Sequence, residues 1–102
     1  MIFKKDLSFP ECKDYLLMQI RQLEPKEQSS TSKSITLKVQ KKNRIITIVL
    51  SIMSGKAILD ITDSYYLLRI PRETFTNIDK YKMYVIQIAS RLYDELGITN
   101  NG

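Results

Sequence analysis

The chain contains no histidine and only one cysteine in its 102 residues. Without imidazole there is no Ser-His-Asp triad and no Cys-His dyad, because both need a base that changes charge near neutral pH. A single cysteine excludes a disulfide within the chain, and with no histidine beside it no Cys–His zinc site can form. Cys12 lacks a base to activate it and reads as a small buried hydrophobe in a reducing interior. Long apolar runs are missing too. The most apolar stretch, Ile45 to Met53, is interrupted by Thr47 and Ser51 and is far shorter than the ~20 residues that cross a bilayer, so a buried strand is expected there. The opening MIFKKDLSFPECK lacks the apolar core and small-residue cleavage site of a secretory signal. These absences predict an intracellular protein with no membrane partner, metal, cofactor or small-molecule substrate, and one that is not an enzyme.

What is present fits one domain over residues 1–102: 43% apolar and 26% charged residues, with a net charge of +5. Ser8 and Glu11 form the capping-box pattern at the start of a helix expected from Phe9 to Leu23, with Pro10 in its first turn. Cys12, Leu16, Ile20 and Leu23 fall on one face of that helix. Pro25 ends it, and residues 24–33 (EPKEQSSTSK) read as a mobile loop. The period then changes to two. Ile35, Leu37 and Val39 alternate with polar residues, and Arg44 to Ile52, Ala57 to Thr62 and Tyr65 to Ile70 complete four expected strands. Their short connections favour antiparallel neighbours.

Thr76 and Asp79 then suggest the start of a second helix, which Gly97 stops. One stripe of that helix holds Ile78, Tyr81, Val85, Ile88, Leu92 and Leu96. A second apolar set, Met83, Tyr84, Ile86 and Tyr93, lies off the stripe and is expected to form a dimer interface. Residues 98–102 read as a frayed tail. The fold class expected is therefore α+β: an N-terminal helix, a four-stranded antiparallel sheet and a C-terminal helix.

The charge has an address. Residues 1–33 carry six Lys+Arg and five Asp+Glu, and residues 73–102 carry three and four. Residues 34–72 carry seven basic residues against Asp60 and Asp63 alone, so the whole excess belongs to the strands. With helices on one face of the sheet, Lys38 would lie on the other, and Lys41, Lys42, Arg44 and Lys56 along its rim. Thr36, Thr47, Ser51 and Thr62 add hydroxyls, and Tyr65 and Tyr66 add aromatic faces. Lysines that neutralise phosphates beside aromatics that stack on bases make a single-strand binding surface. The plainer reading is that edge lysines only discourage aggregation of the sheet.

The run from Gly55 to Tyr66 (GKAILDITDSYY), followed by Leu68 to Phe75 (LRIPRETF), resembles the transcriptional coactivator family of positive cofactor four. That family has a basic strand, a turn ending in Gly-Lys, an apolar–Asp–Ile strand ending in aromatics, a short last strand and an aromatic opening the final helix. The resemblance implies a dimer of curved antiparallel sheets, built through the helices, that binds single-stranded DNA with weak sequence preference in replication, recombination or transcription. The Whirly proteins share that architecture, and a phage or viral relative fits. It also implies roles for Lys38, Arg44, Lys56 and Arg69 on phosphates, with Lys41 and Lys42 as rim contributors and Tyr65 or Tyr66 as the stacking platform. Met53 stands where the family has an aromatic, Phe75 where it has tryptophan, and the loop between Tyr66 and Leu68 is nearly absent. The N-terminal helix has no counterpart in the family core.

Two alternatives stand beside this one. A helix–three strands–helix order is that of the double-stranded RNA-binding domain, although Lys80 and Lys82 here alternate with apolar residues at the helix start. A small dimeric protein-interaction module without nucleic-acid binding is the other. Asp60 and Asp63, three apart on a strand, point to opposite faces and cannot share an ion.

Overall fold

A computed structural model describes residues 7–64 and 69–98. Two helices and a five-stranded antiparallel sheet make an α+β fold, in the order α1 (Phe9–Gln19), a 3-10 turn (Arg21–Leu23), β1 (Lys26–Ser30), β2 (Ser34–Lys41), β3 (Arg44–Met53), β4 (Lys56–Asp63), β5 (Glu73–Phe75) and α2 (Ile78–Glu95). Each strand lies beside its chain neighbour, giving the sheet order β1-β2-β3-β4-β5. No helix among the described residues is long and apolar enough to cross a membrane.

The sheet has one more strand than its alternation signals. Residues 26–30, expected within a mobile loop, pair with β2 through a register that shifts between Glu27 and Ser29. All five are exposed. An edge strand covered on neither face is held by its backbone alone, so its side chains need no apolar alternation. Thr31 closes the connection to β2: its N–H donates to Ser34 O at 2.8 Å, and its Oγ1 accepts from the Lys33 N–H at 3.1 Å. At the other edge, the strand expected over Tyr65 to Ile70 falls partly on 65–68, outside the described residues, and Arg69 and Ile70 are not in a strand. The pairing is made by Glu73–Phe75, opposite Leu59, Ile58 and Ala57 of β4.

Two-residue turns fix the inner hairpins. Lys42 and Asn43 (φ 51° and 62°) join β2 to β3, and Ser54 and Gly55 (φ 52° and 74°) join β3 to β4. Positive φ at both central residues matches the right-handed twist of the strands they connect. The turns set the parity of the sheet. Ile35, Leu37, Val39, Ile46, Ile48, Leu50, Ala57, Leu59 and Ile61 all point into one core beneath the helices.

In α1, Ser8 Oγ accepts from the Glu11 N–H, and Cys12, Leu16, Ile20 and Leu23 are all buried, as their spacing predicts. The α-helix proper stops at Gln19, and the last turn tightens before Glu24 takes a left-handed conformation (φ 54°) ahead of Pro25. The cap of α2 is Asn77 and not Thr76. Asn77 Oδ1 accepts from the N–H groups of Asp79 (2.8 Å) and Lys80 (3.1 Å), so the stronger cap one residue later takes the role. At its far end Gly97 (φ 65°) completes a Schellman pair, with Ile98 N–H to Tyr93 O and Gly97 N–H to Asp94 O. Residues 99–102 of the expected tail lie outside the described residues.

Tyrosines on α2 fasten α1. The Tyr81 hydroxyl donates to Cys12 O at 2.8 Å, and the Tyr93 hydroxyl donates to Gln19 O at 2.9 Å while accepting from the Gln22 N–H.

Candidate nucleic-acid interface

With both helices on one side, the opposite face of the sheet carries the alternate residues. Register places Lys26 beside Lys38, Lys38 beside Thr47, and Thr47 beside Thr62, a polar row crossing β1 to β4. The next row runs Thr36, Val49 and Asp60, and a third runs Ser34, Ser51, Ile58 and Thr74. Asp60 brings a negative charge into this face, and Arg72 offsets it through an ion pair at 3.1 Å. Lys56 is exposed at the opposite end of β4 from Thr62, roughly 20 Å away at the ordinary rise per residue. Arg69 is exposed just before β5.

Arg44 does not belong to this face. Strand β3 begins directly after the two-residue turn, and that parity sends Arg44 inward with Ile46 and Ile48. It is 9% exposed. Its guanidinium pairs with Asp63 through Nη2, and Nη1 lies 3.5 Å from Glu95 Oε2 and from Glu95 O. The hydrogen bond to Asp63 holds its pKa above the ordinary arginine value, against the opposing effect of burial. A cation committed to two carboxylates beneath a helix end is structural, and it is withdrawn from the phosphate-binding set.

The two rim lysines have their own partners. Lys41 shares the inward parity of Val39, and its Nζ lies 3.5 Å from Glu24 Oε1. Lys42 reaches the end of α2, where a Cβ built on Gly97 would stand 2.4 Å from its Nζ. A lysine ammonium is favoured there by the helix dipole. Tyr65 and Tyr66 lie outside the described residues.

Of the expected dimer set, Tyr93 is buried at 3% exposure and is a core residue, because its hydroxyl is spent on α1. Tyr84 is half-buried, its ring centroid 5.0 Å from that of Phe75. Burial, with the nearby Glu73, pushes its phenol pKa up. Met83 and Ile86 remain exposed at 61% and 48%.

One end of the sheet holds a feature that the sequence pattern does not announce. Because pairing between β1 and β2 ends at Lys26 and Lys38, the last three residues of β2 pair only with β3. A cleft of about 410 Å³ opens at that corner, lined by Leu23, Glu24, Lys26, Lys38, Gln40, Lys41, Lys42 and Asn43. Its lining holds four lysines and one carboxylate. Lys26 is hard to find from sequence because it sits in a segment without strand periodicity. The one signal is a lysine at the head of a short polar run, which is how edge strands are often built.

No family model, no curated protein and no solved structure matches this chain. Among the described residues no group of three or more His, Cys, Asp or Glu side chains could hold a metal ion.

Proposed function

We propose that the uncovered face of the sheet binds single-stranded nucleic acid, DNA in the first place, with weak sequence preference. The observation that carries this reading is the row Lys26–Lys38–Thr47–Thr62, which aligns two ammonium groups and two hydroxyls across four strands. Lys56, with the outward parity of Thr62, adds a cation at the far end of β4, and Arg69 is exposed ahead of β5. Cations and hydroxyls on an open sheet face suit a backbone of phosphates, while exposed strands let unpaired bases spread. The likeness of Gly55–Phe75 to positive cofactor four supports the same reading. That likeness also carries a homodimer through the outer face of α2, where Met83 and Ile86 are exposed.

The double-stranded RNA alternative draws less support. It needs a basic run at the start of the last helix, whereas Lys82 is turned onto α1, 3.6 Å from Glu11 and 5.3 Å from the Tyr15 ring centroid.

The test is a titration of labelled single-stranded DNA, duplex DNA and duplex RNA at two salt concentrations. Each single-strand phosphate contact lowers log K by about 0.7 per tenfold rise in salt, so four contacts predict roughly a fiftyfold loss between 50 and 200 mM. Lys38→Glu is expected to weaken binding to every sequence alike. Absence of salt-dependent binding to any of the three sinks the reading.

A further inference from the structure

The corner cleft differs in kind from the open face. An open face whose cations lie far apart, with Lys38 on the first row and Lys56 at the other end of β4, suits a chain of singly charged phosphodiesters. The cleft is lined by Lys26, Lys38, Lys41 and Lys42, with Glu24 the one carboxylate among its lining residues; the Lys42 ammonium reaches away to the end of α2, which leaves three lysines for a ligand. It is walled on one side by Leu23 and Glu24, where the chain leaves the 3-10 turn in a left-handed conformation. On the other side stands the β2–β3 turn, Lys42 and Asn43. Lys26 and Lys38 belong to both the cleft and the row across the sheet, so a strand lying on the row leads into it.

We infer that this cleft binds a compact, multiply charged phosphate group: the phosphomonoester at the end of a nucleic-acid strand or, from another source, a small free polyphosphate. The terminal strand phosphate rests on the single-strand reading above; the polyphosphate does not. Charge and size both favour such a group. A terminal phosphomonoester carries about −1.5 to −2 at neutral pH with three acceptor oxygens, whereas an internal diester carries one charge. Several ammonium groups around one volume reward the more concentrated charge. The Glu24–Lys41 pair at 3.5 Å is half solvated, with Glu24 itself 79% exposed, so its carboxylate can swing away when a phosphate takes Lys41.

The composition provides a clean readout. With no histidine in the chain, no side chain has an ordinary pKa between about 5.5 and 7. Phosphomonoesters lose their second proton near pH 6. A preference for the phosphorylated end that grows over this interval therefore follows the ligand's ionisation.

The experiment compares one single-stranded oligonucleotide with hydroxyl ends, with a 5′-phosphate and with a 3′-phosphate, at pH 5.5 and 7.0. Inorganic tripolyphosphate serves as a separate ligand. A phosphorylated end is expected to bind about tenfold tighter at pH 7.0 than the hydroxyl-ended strand, and less than half as favourably at pH 5.5. Lys41→Gln should abolish the gain and cost the hydroxyl-ended strand less affinity than Lys38→Glu does, since Lys41 is not on the open face. Glu24→Gln, which removes the competing carboxylate, should enlarge it.

Equal affinity for all three oligonucleotides, with no tripolyphosphate binding, overturns the inference and leaves the single-strand reading standing. Tripolyphosphate binding that depends on Lys41, without binding of any oligonucleotide, keeps the cleft's chemistry and removes the strand as its source. Failure of every ligand overturns both.

Discussion

Arg44 shows how one residue's parity decides its role. In the sequence it stands among lysines and looks like another phosphate contact, yet the turn at Lys42–Asn43 makes it the first inward residue of β3. Its guanidinium joins Asp63 of β4 and Glu95 near the end of α2, and Asp63 is 3% exposed. A buried pair contributes little relative to an apolar replacement but is expensive to break from one side, because the orphaned charge stays buried. Arg44→Ala is therefore expected to destabilise the fold by ~3–5 kcal/mol. The double variant Arg44→Met/Asp63→Leu should recover most of that in urea denaturation. Additive losses in the double variant would show that the two groups do not act as a pair. Alternation with Leu37 and Val39 puts Lys38 on the open face, but the apolar residues on both sides of β3 leave the direction of Arg44 unmarked in the sequence. Only the register, read from a two-residue turn, settles it.

Among the elements, those with a strong apolar period were legible: α1, β2, β3, β4 and α2 all lie where alternation or a helical stripe puts them. The two edge strands were not. Strand β1 is wholly exposed and has nothing to alternate, and β5 has only three residues. The consequence reaches the candidate site, because Lys26 enters both the row and the cleft only through the pairing of β1. Helix α2 carries the second expectation at this scale. Its stripe is buried from Tyr81 to Leu96, with Ile78 half-buried, whereas its second apolar set divides: Tyr93 goes to the core, Tyr84 to Phe75, and Met83 and Ile86 to solvent. If that outer face makes the proposed dimer, light scattering should return twice the chain mass. Met83→Glu/Ile86→Glu should return it to one without loss of helicity. A wild-type monomer at tens of micromolar removes the dimer.

For the whole molecule, the buried protons set a limit at high pH. Burial, with Glu11 beside it, pushes the Cys12 thiol up to about 11 from 9.0. Burial also raises the Tyr81 phenol well above its ordinary 10.0. Groups that hold their protons more tightly when folded give their full stabilisation below the unfolded pKa and lose it as pH rises through the folded one. The urea midpoint should consequently be insensitive to these groups below about pH 9 and decline from there toward 11. Tyr81→Phe should be less stable at neutral pH, having lost the bond to Cys12 O, yet decline less steeply in alkali. A midpoint held constant to pH 10.5 would contradict the assignment of these shifts to burial.

The tyrosine bonds between the helices also have a meaning in time. Each strand of the meander lies beside the one made just before it, an order that lets pairing keep step with synthesis. Helix α1 cannot complete its contacts so early, because Tyr81 and Tyr93 follow Cys12 and Gln19 by 69 and 74 residues. At ribosomal speeds of about 5–20 residues per second, that is a wait of roughly 4–15 s. Through that interval α1 keeps part of its apolar stripe uncovered, until α2 emerges to shelter it.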